Sequence, residues 1–254
     1  MAKRTGAPLW HVTDPRFTDL HCMAYTSKGT DELLIAGSQN TMFKVDVEKG
    51  TILDELPAKD AYKLMKRAGQ YICAATFSGA IHILDTNTLR VVKVWQAHLG
   101  VINDMDARSD FLVTCGLSQR QQHGLMPDPM ANVLDLKSLT PLPPIPFQPG
   151  AAFVRMHPKM STTSIVASQT GQLQVVDIMN PHTVSLKQAH IYDNAYITGI
   201  ELAPSGEALA LASSVCQVHL WGSPSRLKYA EFSSPTIFPD PISGSAAMDW
   251  SEET

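Results

Sequence analysis

A chain of 254 residues is long enough for one all-β domain and too short for two ordinary domains with a linker. Its formal net charge of −4, from 20 basic and 24 acidic side chains, excludes an overall polyanion-binding surface and leaves room only for local basic patches. No apolar run approaches the ~18 residues of a membrane span. Met1-Ala2-Lys3-Arg4 leads into Thr5-Gly6-Ala7-Pro8 rather than a signal-peptide core, so no membrane partner and a cytoplasmic location are expected.

In chain order, Ala7-Pro8-Leu9-Trp10-His11-Val12 within residues 1–19 reads as the orphan outer strand of a preceding blade, followed by a polar connection. Residues 20–56 then form a complete unit. They hold an apolar run, a turn, a run ending in small residues, an alternating run closed by Asp46, a Glu48-Lys49-Gly50 turn and a last run, Ile52 to Leu56. Four short strands joined by tight turns make one blade of a β-propeller. Residues 61–97 repeat the outline most regularly, with Ser78-Gly79 and Asp85-Thr86-Asn87 supplying hairpin chemistry.

The third repeat, 98–147, opens on Ala97-His98, with Asp104 expected in the tight turn that follows. In WD repeats such a histidine, an aspartate and a strand hydroxyl form a buried hydrogen-bond network. An insertion, Leu117 to Pro129, lengthens this repeat, and a loop of that size in a compact β domain is either a functional contact or a tolerated surface excursion. Pro141-Leu142-Pro143-Pro144-Ile145-Pro146 cannot donate to a central ladder and is assigned to an outermost strand. Repeats at 150–188 and 190–230 follow, the latter opening on Ala189-His190. The closing residues Asp46, Asp85, Asp135, Asp177 and Trp221 stand about 40 to 50 residues apart, the period of WD-type blades. The reading is an all-β WD-repeat β-propeller over residues 1–242 with about five blades visible, then the start of an acidic linker at 243–254.

Few residues advertise chemistry. Cys22, Cys73, Cys115 and Cys216 lie in predicted strands without C-x-x-C spacing and read as buried thiols. Asp46-Val47-Glu48 imitates the D-x-E of two-metal exonucleases, but its counterparts Asp85-Thr86-Asn87 and Asp135-Leu136-Lys137 mark it as a turn. No catalytic or metal residue is assigned. For partner binding, the candidates are Arg120, Gln121, His123 and Met126 in the insertion, and Lys63, Lys66 and Arg67 on the inner strand of the second repeat. Arg155, His157 and Lys159 lie near the equivalent turn of the fourth. Solvated turn charges are the alternative for both basic groups. His98, Asp104, His190, Asp46, Asp85, Asp135, Asp177 and Trp221 are assigned structural WD-type roles.

Across nearly its whole length the sequence resembles the N-terminal WD-repeat domain of the catalytic subunits of poly(A)-nuclease deadenylation complexes. The likeness rests on Pro8-Leu9-Trp10-His11-Val12-Thr13-Asp14-Pro15, on Leu33 to Asp46, on Thr76 to Asp85, on Gly116-Leu117-Ser118-Gln119-Arg120 and on Pro235 to Pro241. It implies a non-catalytic propeller of seven blades, so that the five visible here would be an N-terminally incomplete ring. It further implies a pseudokinase-like adaptor subunit and poly(A)-binding protein on mRNA tails as partners. The poly(A)-specific 3′-exoribonuclease, with two divalent metals such as magnesium, would belong to a separate DEDD-type domain whose residues have no positions here. No cofactor is expected for this chain. A generic interaction propeller of another assembly, or an enzyme with a site in the central channel, are the alternatives.

Overall fold

A computed structural model of the chain describes residues 11–26, 31–120, 124–191 and 195–222, apart from the side chains of 119, 120, 183 and 184. Among the described residues there are 20 β-strands and no helix. The first sheet is an antiparallel meander of β1 (Leu20–Tyr25), β2 (Glu32–Gly37), β3 (Thr41–Asp46) and β4 (Thr51–Pro57). The second repeats it with β5 (Tyr62–Ala68), β6 (Tyr71–Thr76), β7 (Ala80–Asp85) and β8 (Val91–Gln96).

The third sheet contains β9 (Ile102–Arg108), β10 (Phe111–Arg120), β11 (Gly124–Pro127), β12 (Met130–Asp135) and β13 (Thr140–Pro146). The fourth is β14 (Phe153–Met156), β15 (Thr163–Ala167), β16 (Gln172–Asp177) and β17 (Asn180–Gln188). The fifth holds β18 (Ile197–Leu202), β19 (Ala208–Ser213) and β20 (Val218–Gly222). Inner strands β1, β5, β9, β14 and β18 stand side by side in that order. The five described sheets thus follow one another along an arc.

Burial follows position in the sheet. β6 and β7 are middle strands with a neighbouring sheet on each face, and almost every residue in them is buried, from Ile72 through Leu84. Outer strand β8 has one face against the core and exposes Val92 and Val94. Separate apolar cores fill the gaps between successive sheets. Leu34, Tyr62 and Ile72 lie between the first and second, and Ile83, Met105 and Leu112 between the second and third. Val133, Phe147 and Val154 fill the next gap, and Ala167, Ile197 and Leu211 the last. Each fully buried side chain of leucine size contributes about 1.5–3 kcal/mol, so the stacking of sheets, not any single sheet, holds the arc together.

Two expectations are corrected, and a third, the orphan strand, lies mostly outside the described residues. Residues 11–19 contain no strand; instead Phe17 sets its ring edge-on against Phe43 with centroids 5.0 Å apart, and Arg16 bridges Asp14 and Glu55 at 2.8 Å each. By strand alternation Phe43 faces away from the second sheet, and this segment covers it down to 1% exposure. Residues 7–10 of the expected strand lie outside the described residues. The insertion is a β-arm rather than a loop, because β10 runs past the sheet to pair Leu117 with Pro127 and Ser118 with Met126. Cys216 is exposed in the β19–β20 turn with φ of +58°, not buried in a strand. The proline run forms β13 at the outer edge of its sheet, where no ladder donor is needed. The fifth repeat beyond 222, Phe232 to Pro241 and residues 243–254 lie outside the described residues.

Candidate functional site

The closing aspartates cap the turns that join third to fourth strands. Asp46 Oδ1 accepts the backbone N–H groups of Glu48 and Lys49 at 2.9 Å each. Asp85 Oδ1 accepts those of Asn87 (3.1 Å) and Thr88 (2.8 Å). Asp135 takes the N–H of Lys137 at 2.8 Å, and Asp177 that of Met179 at 3.1 Å. At Asp46, Asp85 and Asp177 these donors hold the carboxyl below its ordinary range. A group in this service is not a metal ligand, and among the described residues no three His, Cys, Asp or Glu side chains converge to hold an ion. Trp221 closes β20 and stays 38% exposed.

His98 sits in the link after β8 with its side chain buried. Its Nδ1 lies 2.6 Å from Asp128 Oδ2 and its Nε2 3.0 Å from Thr114 Oγ1, while Asn132 donates to Ala97 O at 2.5 Å. The carboxylate is therefore Asp128, where the arm returns to the sheet, and not Asp104. Gly116 makes room for the ring, since a Cβ there would overlap it. Among the described residues no such network forms around His190. That residue is exposed, because Ala189 and Ile191 on either side of it turn toward the core of the last two sheets. His82 is a buried histidine of another kind, bonded to Tyr62 Oη at 2.9 Å.

Asp104 instead belongs to a set of bonds across the inner wall. Its Oδ2 accepts Val154 N at 3.0 Å and Arg155 Nη1 at 2.7 Å, and Arg155 Nε reaches Glu201 at 3.1 Å. Asn103 donates to Ala152 O (2.6 Å) and Asp106 accepts Met156 N (2.7 Å). Three side chains of β9 thus satisfy the edge of β14 that does not pair with β15. Lys63, expected at a partner surface, is part of the same wall. Half-buried, it donates to Ile102 O at 3.0 Å, and burial lowers the pKa of its ammonium.

Lys66 and Arg67 are left free of that wall. Together with Arg108 they line a cavity of about 650 Å³ where the inner strands β1, β5 and β9 turn toward their second strands. Met23, Tyr25, Met65, Ala68 and Ala107 supply its apolar lining. Arg67 Nη2 donates to Gly69 O at 3.2 Å, whereas its Nε is buried without an acceptor. Sequence reasoning missed Arg108 and Tyr25, which share this mouth only because three repeats bring equivalent strand ends together. Of the arm candidates, Met126 is half-buried beside Ser118, while the side chain of Arg120, and Gln121 and His123 entirely, lie outside the described residues.

Antiparallel meanders stacked face to face, inner strands side by side and a His–Thr–Asp network at the head of the third, make this a WD-type β-propeller domain. The family model described as PAN2 N-terminal matches residues 3–222, and the chain belongs to that family. It is 59% identical to the PAN2-PAN3 deadenylation complex catalytic subunit PAN2 of Phaeosphaeria nodorum, a match covering 99% of this chain and 22% of that protein. The subunit of the same description from Coccidioides immitis is 52% identical over 100% of this chain and 20% of its own length. The chain thus spans about a fifth of these relatives. The solved Neurospora crassa Pan2 WD40 domain superposes with a TM-score of 0.82 at 43% identity, covering 89% of this chain and 69% of that one. U3-55K, with a TM-score of 0.63 at 17% identity, shares the fold alone.

Proposed function

We propose that this domain is a non-catalytic docking platform within an mRNA deadenylation complex, holding an adaptor subunit of the PAN3 type and engaging the poly(A) ribonucleoprotein. What carries the reading is membership of the PAN2 N-terminal family, whose relatives are described as catalytic subunits of a PAN2-PAN3 deadenylation complex. The poly(A)-specific 3′-exoribonuclease, with its divalent metals, is assigned to other parts of the whole protein, and the setting is cytoplasmic. Acids on the inner wall of the third sheet support the division of labour, since Asp104 and Asp106 are engaged by Arg155 and by backbone N–H groups of β14 rather than left free for proton transfer.

The test is co-purification. The whole protein, with and without residues 1–254, is expressed with its adaptor and the complex resolved by size exclusion, while the chain alone is incubated with 3′-labelled oligo(A) and magnesium. The expected result is weaker retention of adaptor and of tail-bound ribonucleoprotein on deletion, and no trimming by the chain alone. Unchanged retention, or trimming by the chain, overturns the proposal.

A further inference from the structure

The basic side chains of the inner wall divide into two groups. Lys63 and Arg155 are consumed by bonds between sheets. Lys66, Arg67 and Arg108 crowd one mouth and make no ion pair among the described residues. The nearest acids on β9 and its turn are committed elsewhere, Asp106 to Met156 N and Asp110 to Lys137 at 3.5 Å. A buried guanidinium N–H without an acceptor is costly to leave unmade and gains most from an ionised oxygen. Arg67 Nε is such a donor, in a residue that lines the cavity.

The remaining lining is apolar, with Met23 64% and Tyr25 52% exposed at the rim. Methionine side chains adapt to varied apolar shapes, and about 650 Å³ admits one large side chain with flanking backbone. We infer that this mouth docks an acidic peptide segment carrying a large apolar residue: its carboxylates meet Lys66, Arg67 and Arg108 while its apolar side chain enters between Met23, Tyr25 and Met65. Single-stranded nucleic acid is the poorer fit, because successive bases need successive aromatic platforms and Tyr25 is the one aromatic in the lining. The inference extends the docking reading by giving a partner's chemistry, and it rests on that reading.

Fluorescence anisotropy with the full chain tests it, the probe being a labelled twelve-residue peptide of Asp and Glu around one Phe and one Leu. Saturable binding is expected, weakened by added salt and about tenfold weaker in the Lys66→Gln/Arg67→Gln/Arg108→Gln variant. Thermal unfolding of that variant is expected to match the parent; should it not fold, Arg108→Gln alone, at the most exposed of the three, is expected to weaken binding about threefold. Labelled oligo(A) serves as the competing probe and is expected neither to bind the mouth nor to displace the peptide. Absence of saturable peptide binding, equal binding by the folded charge variants, or displacement by oligo(A) overturns the inference. Adaptor co-purification is scored on the same proteins: its loss from the unaltered chain defeats the docking reading, whereas peptide failure with the adaptor retained defeats the pocket alone.

Discussion

Arg67 and Arg155 both stand on inner strands, β5 and β14. Arg155 finds Asp104 on the preceding inner strand at 2.7 Å and Glu201 on the following one at 3.1 Å. Arg67 shares its cavity with Met23 and Tyr25 of the strand before it, and neither offers it a carboxylate. What separates a structural cation from an available one here is whether the neighbouring repeat sets an acid beside it.

Breaking the neutralised side is expected to do the most damage. Arg155→Ala leaves the Asp104 carboxylate in the wall without its counter-ion, and loss of one partner from a buried pair costs about 3–5 kcal/mol in urea unfolding. Burial already pushes the Asp104 carboxyl up, with Arg155 opposing the shift. His98→Ala comes next, stranding Asp128 and Thr114 for about 1–3 kcal/mol. It is also expected to loosen the arm, read as faster amide exchange in β11 than in β7. Glu201→Ala removes the exposed member of the Arg155 cluster, 73% accessible, and is expected to cost below about 1 kcal/mol. On the available side, Lys66→Gln is expected to stay within about 0.5 kcal/mol of the parent, like other surface changes. A large loss there would erase the contrast between the two arginines.

Acid sharpens the same comparison at the smallest scale. Asp46, Asp85 and Asp177 have folded pKa values below the unfolded carboxylate value, and Asp14 is held at about 2 by Arg16. A depressed carboxylate contributes stability that is complete above the unfolded value of about 3.9 and is lost as pH falls through the folded one. Asp104 has the opposite sign, since its raised folded value makes protonation relatively favourable to the fold. Stability is therefore expected to decline below about pH 4 in the parent, and less steeply in an Asp46→Asn/Asp85→Asn variant, whose amide oxygens keep the turn bonds without the charge. Equal slopes in both proteins would show that the turn charges do not contribute.

The features legible in the sequence are those settled within a few residues. An aspartate closing an apolar strand, followed by Thr-Asn or Leu-Lys, declares its turn because its partners are two and three positions away. The strands and the proline-marked edge at β13 are local in the same sense. Arg155 reads in sequence as a free surface charge because its acid, Asp104, lies on a different sheet. Asp128 is hidden in the sequence, with Asp104 the nearer acid to His98, because it sits between Pro127 and Pro129 at the return of an arm whose stretch has the outline of a loop. The mouth around Arg108 arises from the packing of three sheets, and no short stretch of chain contains it.

Asn103, Asp104 and Asp106 all bind main-chain atoms of the β14 segment, and Asp104 takes the Arg155 side chain as well. A single slip of register in the innermost strand of the fourth repeat therefore misaligns all three main-chain contacts at once. Docking of that sheet works as a template reading a spacing, so an inserted residue near Val154 would be more disruptive than any one substitution at the same place.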